Sequence, residues 1–205
     1  MLKPERRHLG RRLIQLYSGL LVFGWSEALL VESQLGVLPW DVLHQGLARN
    51  LGLTIGTWSV IVSFVVLLLW IPLRERPGLG TLSNALIIGP AIDISVLLMP
   101  TPGHWWSQWA YVVVAIVVNA FATALYIGAS FGPGPRDGLM TGLVRRTGGS
   151  VRVVRTCIEV VVVMTGWLLG GTLGLATVLF VVSIGPLVHW FLPRLHVHSH
   201  RDPTS

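Results

Sequence analysis

Apolar runs of similar length, separated by short links containing Arg, Gly and Pro, dominate the chain. Six of them, 13–31, 55–73, 80–99, 109–131, 151–169 and 174–192, come close to the ~20 residues that cross a hydrocarbon core as a helix. Backbone groups in lipid must pair within their own segment, so these runs are predicted to be helices. The links 74–79 and 170–173 are predicted to be tight turns. The links 32–54 and 130–150 are longer, and each contains a compact motif.

The two motifs are copies of one another. Residues 36–50 read GVLPWDVLHQGLARN, and residues 132–146 read GPGPRDGLMTGLVRR. Without a gap they share Gly36/Gly132, Pro39/Pro135, Asp41/Asp137, Leu43/Leu139, Gly46/Gly142, Leu47/Leu143 and Arg49/Arg145. The same 96-residue offset continues through Gly52/Gly148, Gly78/Gly174 and Thr81/Thr177 to Ile88-Gly89-Pro90 over Ile184-Gly185-Pro186. Similarity between apolar segments alone would match Leu and Val, not Pro, Asp and Gly in register. The pattern is an internal duplication.

Composition agrees with the membrane pattern. Of 205 residues, 52% are hydrophobic and 12% are charged, against about 25% charged in soluble domains. The net charge of +6 lies between apolar runs, not along one face, so nucleic acid is not an expected partner. The lone Cys157 supports no disulfide framework.

With the N-terminus in the cytoplasm, 14 of the 15 Lys and Arg fall on that side, and only Arg49 falls outside. This positive-inside pattern predicts a bacterial inner-membrane protein with both termini cytoplasmic. The expected fold is all-α, a polytopic bundle of six spans. One three-span repeat covers 13–99 with motif 36–50, and a second covers 109–192 with motif 132–146. A polar cytoplasmic tail follows at 193–205. Three spans per copy make the second copy enter from the opposite face, giving an inverted 3+3 repeat of the kind that builds secondary transporters.

The run GPGPRDGLMTGLVRRTGGSVRVVRTCIE at 132–159, followed by GWLLGGTLG and IGP, resembles the YczE-like branch of the YczE/YyaS/YitT family of bacterial integral membrane proteins. The resemblance extends over about 13–186. It implies a multi-span inner-membrane protein and specifies no substrate.

In each motif, Pro39 or Pro135 suits the first turn of a helix. Asp41 or Asp137 then falls in that turn, where it can cap free amides and meet the helix dipole. Leu43 and Leu47, like Leu139 and Leu143, share a face, so each motif is expected to be a short amphipathic or re-entrant helix. A sharper expectation is that the two helices line a pathway, with Arg136 and Asp137 at its cytoplasmic mouth.

Three acids lie at membrane depth: Glu27, Asp93 and Glu159. A charge there costs at least about 2.5 kcal/mol and normally faces a cavity or a partner. Glu159 has Arg155 four residues before it, and Asp93 follows Gly89-Pro90 near the end of its run. Glu27 has no partner in its own helix, which makes it the leading candidate for an ion- or proton-coupled site. Asn84 and Asn119 suit interhelical hydrogen bonds, and Gly166, Gly170 and Gly174 suit close packing. The alternating His196, His198 and His200 suit a solvated tail more than a metal site.

No phosphate loop, zinc-ligand spacing or nucleophile–base pair occurs, so no enzyme, cofactor or metal is expected. The expected function is a small-molecule secondary transporter or permease, and its narrow halves call for a homodimer. The alternative is a non-transporting accessory or scaffold protein in the membrane.

Overall fold

The computed structural model describes residues 9–195, and among these every regular element is a helix. In chain order they are α1 (Leu9–Ser33), α2 (Pro39–Leu51), α3 (Ile55–Leu73), α4 (Leu79–Leu98), α5 (Trp105–Gly128), α6 (Pro135–Thr147), α7 (Val151–Leu168) and α8 (Leu175–Leu195). Helices α1, α3, α4, α5 and α8 are long and apolar enough to cross a membrane. Helix α7 falls at the fifth expected span, 151–169, but its 18 residues carry Arg152, Arg155 and Glu159, so it is not among those five.

Boundaries differ from the sequence expectation most at α1, which runs Leu9–Ser33 and not 13–31, and at α5 and α8. Helix α5 begins four residues earlier than expected, at Trp105, and stops at Gly128, because the chain turns at Ser130 with φ +57°. Helix α8 continues through Pro193 to Leu195, so the expected tail starts inside it. The remainder of that tail, with its three histidines, lies outside the described residues, as do Lys3, Arg6 and Arg7.

Helices α1 and α5 form the most extensive interface, with α4 against α1 and α8 against α5. Leu29, Leu30, Val112, Ile116, Phe180 and Ile184 fill the α1–α5–α8 side. Leu16, Leu20, Ile88, Ile92 and Tyr126 fill the α1–α4–α5 side. Each short helix packs across to the other copy, α2 on α7 and α6 on α3. Outward-facing Leu68, Ile71 and Val182 stay more than three-fifths exposed, as lipid-facing side chains in a bilayer would.

The contacts pair off under the 96-residue offset. Ala176 N donates to Leu35 O at 3.1 Å, and Gly80 N donates to Phe131 O at 2.9 Å. Gly36 and Gly132, both at positive φ, abut the starts of α8 and α4 beside Thr177 and Thr81. That backbone region and that proximity both require glycine. Trp70 covers Gly138, and its equivalent Gly166 lies against Val42, the equivalent of Gly138. The same contact is therefore built twice, with large and small partners exchanged. Gly46 likewise meets Gly166 O, while Gly142 meets Leu73 and Glu75.

One contact does not recur. Helix α3 packs on α4, where Gly56 meets Gly89, but α7 and α8 share no comparable interface. A methyl group added at Gly185, the equivalent of Gly89, would meet nothing within 4 Å.

These packing differences separate the helical glycines. A Cβ at Gly166 would collide with the Val42–Leu43 backbone, which cannot swing aside. Gly166→Ala is expected to destabilise by about 1–3 kcal/mol through overpacking. Gly185→Ala is expected to be neutral or stabilising, since alanine favours a helix and no neighbour is displaced. Thermal unfolding of the two purified variants in one detergent checks the order, and equal melting temperatures would contradict it.

Candidate functional site

The two short helices begin inside the bundle, not at its surface. Pro39 and Pro135 occupy their first turns, as the sequence predicts. Neither Leu38 nor Gly134, the preceding residues, supplies a side-chain cap. Both helix starts thus carry backbone N–H groups that no capping side chain satisfies, and a positive dipole end. They converge on α1 at Glu27.

Glu27 is 0% exposed, and neither carboxylate oxygen has a hydrogen-bond partner among the described residues. Arg136 Nη1 approaches Glu27 Oε1 to 3.9 Å, too long for a hydrogen bond. The guanidinium lies over the Trp40 ring, 5.0 Å from its centroid. Trp40 and Arg136 are equivalent positions of the two copies, so this contact joins a residue to its own counterpart. Asp41 lies beside Glu27. Its Oδ1 is 2.9 Å from His44 Nδ1, and its Oδ2 has no partner. Tyr126 donates to Asp137 Oδ2 at 3.1 Å, and Asn119 donates to Ser26 Oγ at 2.9 Å.

Burial sets the charge preferences on the short helices. It holds the His44 imidazole below its ordinary pKa, despite the opposing bond to Asp41. It raises the Asp137 carboxyl above the usual range, against the Tyr126 bond, Arg155 and Arg136. Burial thus disfavours the charged forms of both His44 and Asp137, which flank the Glu27–Arg136 pair.

A cavity of 390 Å³ adjoins this cluster, within the roughly 300–1,000 Å³ usual for small-molecule sites. Trp40, Asn84, Tyr126, Arg136, Asp137 and Glu159 line it, together with the apolar inner faces of α7 and α8. Arg136 stands between the cavity and Glu27.

The structure groups the sequence candidates differently than expected. Glu27, Asp41, Arg136 and Asp137 come together. Arg136 and Asp137 both line the cavity, and the Arg136 side chain reaches toward Glu27. Asp41 does not cap its helix, since its carboxylate turns to His44. Asp93 leaves the group altogether. Its Oδ1 accepts from Gly56 N at 2.9 Å and its Oδ2 from Thr54 Oγ1, so it caps α3. Glu159 pairs with Arg155 at 2.8 Å, as spacing predicts, and that pair borders the cavity. Gly36, Pro39, Gly46, Gly132, Pro135 and Gly142 shape the two helix starts and their crossings. Gly89-Pro90 and Gly185-Pro186 lie within α4 and α8. Among the described residues no three His, Cys, Asp or Glu gather as a metal site.

His44 and Tyr126 were not singled out from the sequence. His44 could have been found three residues after Asp41 on one helix face. Tyr126 carries no local signal, because only the turn between α5 and α6 brings it to Asp137.

A family model described as "Family of unknown function (DUF6198)" matches residues 10–193. The chain is 42% identical over 177 residues to an "Uncharacterized protein" of Haemophilus influenzae, covering 86% of this chain and 81% of the relative. It is 30% identical over 180 residues to the "Uncharacterized membrane protein YczE" of Bacillus subtilis, covering 87% and 84%. It is 28% identical over 184 residues to the Bacillus subtilis "Uncharacterized protein YyaS", covering 88% and 92%. No solved structure matches.

Asp93 and Glu159 now have different structural duties, and their substitutions should differ in cost. Asp93→Ala removes the acceptor of Gly56 N in the first turn of α3, leaving the Thr54 cap in place, and is expected to destabilise by about 1–2 kcal/mol. Glu159→Gln breaks a pair whose arginine is half exposed and is expected to cost less than about 1 kcal/mol. Thermal unfolding of the purified variants measures both, and a larger loss for Glu159→Gln would reverse the assignment.

Proposed function

The chain belongs to the family of unknown function (DUF6198) as a YczE-like membrane protein, and we propose that it is a small secondary transporter working by alternating access. In this proposal α7 is also a span, the fifth of six in chain order, its Arg155 and Glu159 neutralising each other across one helical turn. Both termini are cytoplasmic. The duplicated halves are inverted about a pseudo-two-fold axis in the membrane plane. Two contacts support that axis: α1 on α5, and Arg136 on Trp40. Only groups near a two-fold axis can touch their own counterparts.

The observation that carries the transport proposal is the break in the pairing. Helix α3 is sealed against α4 through Gly56, Gly89 and the Asp93 cap, whereas α7 and α8 are parted around the cavity. Inverted halves in unlike conformations describe one side closed and the other open. With the N-terminus inside, the parted side faces the cytoplasm. Exchange of the two conformations would close α7 on α8 at Gly185 and release α3 from α4. The parted helices expose a largely apolar cavity with a few charged groups on its wall, whereas a scaffold needs neither a cavity nor two unlike halves.

The topology is tested in a Cys157→Ser background with single cysteines. Positions 50 and 103 are expected to react with an impermeant reagent on intact cells. Positions 76 and 147 are expected to react only after permeabilisation, and reaction of 147 from outside would remove the inverted arrangement.

Alternating access is tested with spin-label pairs at the equivalent positions 53/94 and 149/190. Pulsed dipolar spectroscopy in lipid nanodiscs is expected to show a short and a long separation for each pair. The short population of one pair should grow as the long population of the other grows. A single fixed separation for both pairs, across pH and lipid composition, would favour an accessory or scaffold role.

A further inference from the structure

Around Glu27 the charges do not balance. Asp41 and His44 face it from α2, Arg136 and Asp137 from α6, and the Tyr126 hydroxyl from α5. The ionisable Asp93 of neighbouring α4 is turned away to α3. Half-buried Asp137 has both Arg155 and Arg136 near it, but fully buried Glu27 and Asp41 share one guanidinium, that of Arg136, and it is held only loosely. Its contacts are the Trp40 face and Glu27 at 3.9 Å, and it stays 23% exposed where it borders the cavity. The cavity's other cation, Arg155, is already paired with Glu159. Both short helices point positive, side-chain-uncapped starts at the same place. Arg136 and two helix starts make an anion site, and Glu27 is the anion now nearest to it.

We propose that the cavity binds a small carboxylate anion at Arg136, and that Glu27 takes up one proton as the anion enters. This rests on the transport proposal and adds substrate class and coupling ion. The exchange balances. The Glu27 carboxylate leaves the guanidinium, one proton from solvent bonds to a Glu27 oxygen, and the incoming carboxylate takes its place at Arg136. No covalent bond of the substrate changes. An anion and a proton entering together leave the charge of the buried site unchanged. An anion entering alone would add negative charge to a low-dielectric site that already holds more carboxyl groups than cations. Burial therefore couples the two.

The experiment uses the purified full chain in nanodiscs, with acetate, lactate, succinate and benzoate as probes and ethylamine and benzylamine as controls. Calorimetry is run at pH 5.5 and 8.0, and proton uptake is followed with an indicator dye in weak buffer. At least one carboxylate is expected to bind, with uptake of about one proton per anion. Its affinity should fall by about tenfold per pH unit where the empty site is ionised. Glu27→Gln is expected to abolish proton uptake and to hold the anion equally at both pH values. Arg136→Gln is expected to abolish anion binding. The uptake measurement needs no variant, so a misfolded variant does not shield the proposal.

Binding of the amines in place of the carboxylates would overturn it. So would the absence of binding by all four carboxylates, or anion binding without proton uptake by the wild type. The two proposals fail separately. Carboxylate binding with proton uptake, but no movement of the bound probe across proteoliposomes, would keep this site and remove transport. Movement of ethylamine or benzylamine would keep transport and remove this site.

Discussion

A buried carboxyl group is costly without a donor, and among the described residues the neighbours of Glu27 are the Asp41 carboxyl and Arg136, the latter beyond hydrogen-bond distance. Much else in the bundle is arranged around Glu27. Two short helices start at its depth instead of at the surface, aiming positive ends and one guanidinium toward it. Proline in each first turn allows the chain to enter these helices without losing an amide bond. Positive-φ glycines three residues earlier let the backbone approach the starts of α8 and α4. The motif is therefore a device for placing a helix start in the interior, and the aspartates within it serve the site more than the helix.

The two copies have diverged most where they meet. Away from the centre, the pairing is close: the same backbone bond, the same threonine beside the same glycine, the same crossing of short helix on long. At the centre Arg136 stands opposite Trp40, so one half supplies the cation and the other the aromatic face that carries it. Exchange of bulk between Trp70/Gly138 and Val42/Gly166 lets both crossings pack tightly with unlike side chains. Duplication supplies a symmetric frame, and divergence supplies a site that two identical halves could not form.

The asymmetry extends to the outer helices. Asp93 binds the start of α3 and holds it to α4. Its equivalent in the second copy is His189, which lines the cavity beside the parted α7. A carboxylate accepts backbone N–H bonds at a helix start, and an imidazole does so poorly. One pair is therefore locked by a strong cap and the other is not. The space between the unlocked pair is the cavity.

Sequence alone determined the helical class, the positions of the long apolar helices, the duplication and the proline-started short helices. Each of these depends on local chemistry: hydrophobic length, the missing amide of proline, and residues repeated at a constant offset. It also marked Glu27, because an acid in an apolar run is anomalous wherever the run packs. Tertiary structure alone decided which acids belong together. Asp93 and Glu27 look alike as isolated acids in apolar helices, yet one caps a neighbouring helix and the other faces Arg136 across 109 positions of chain. Tyr126 and His44 joined the site for the same reason. Side-chain partners across a bundle are set by helix crossings, and those depend on which small residues let two backbones meet.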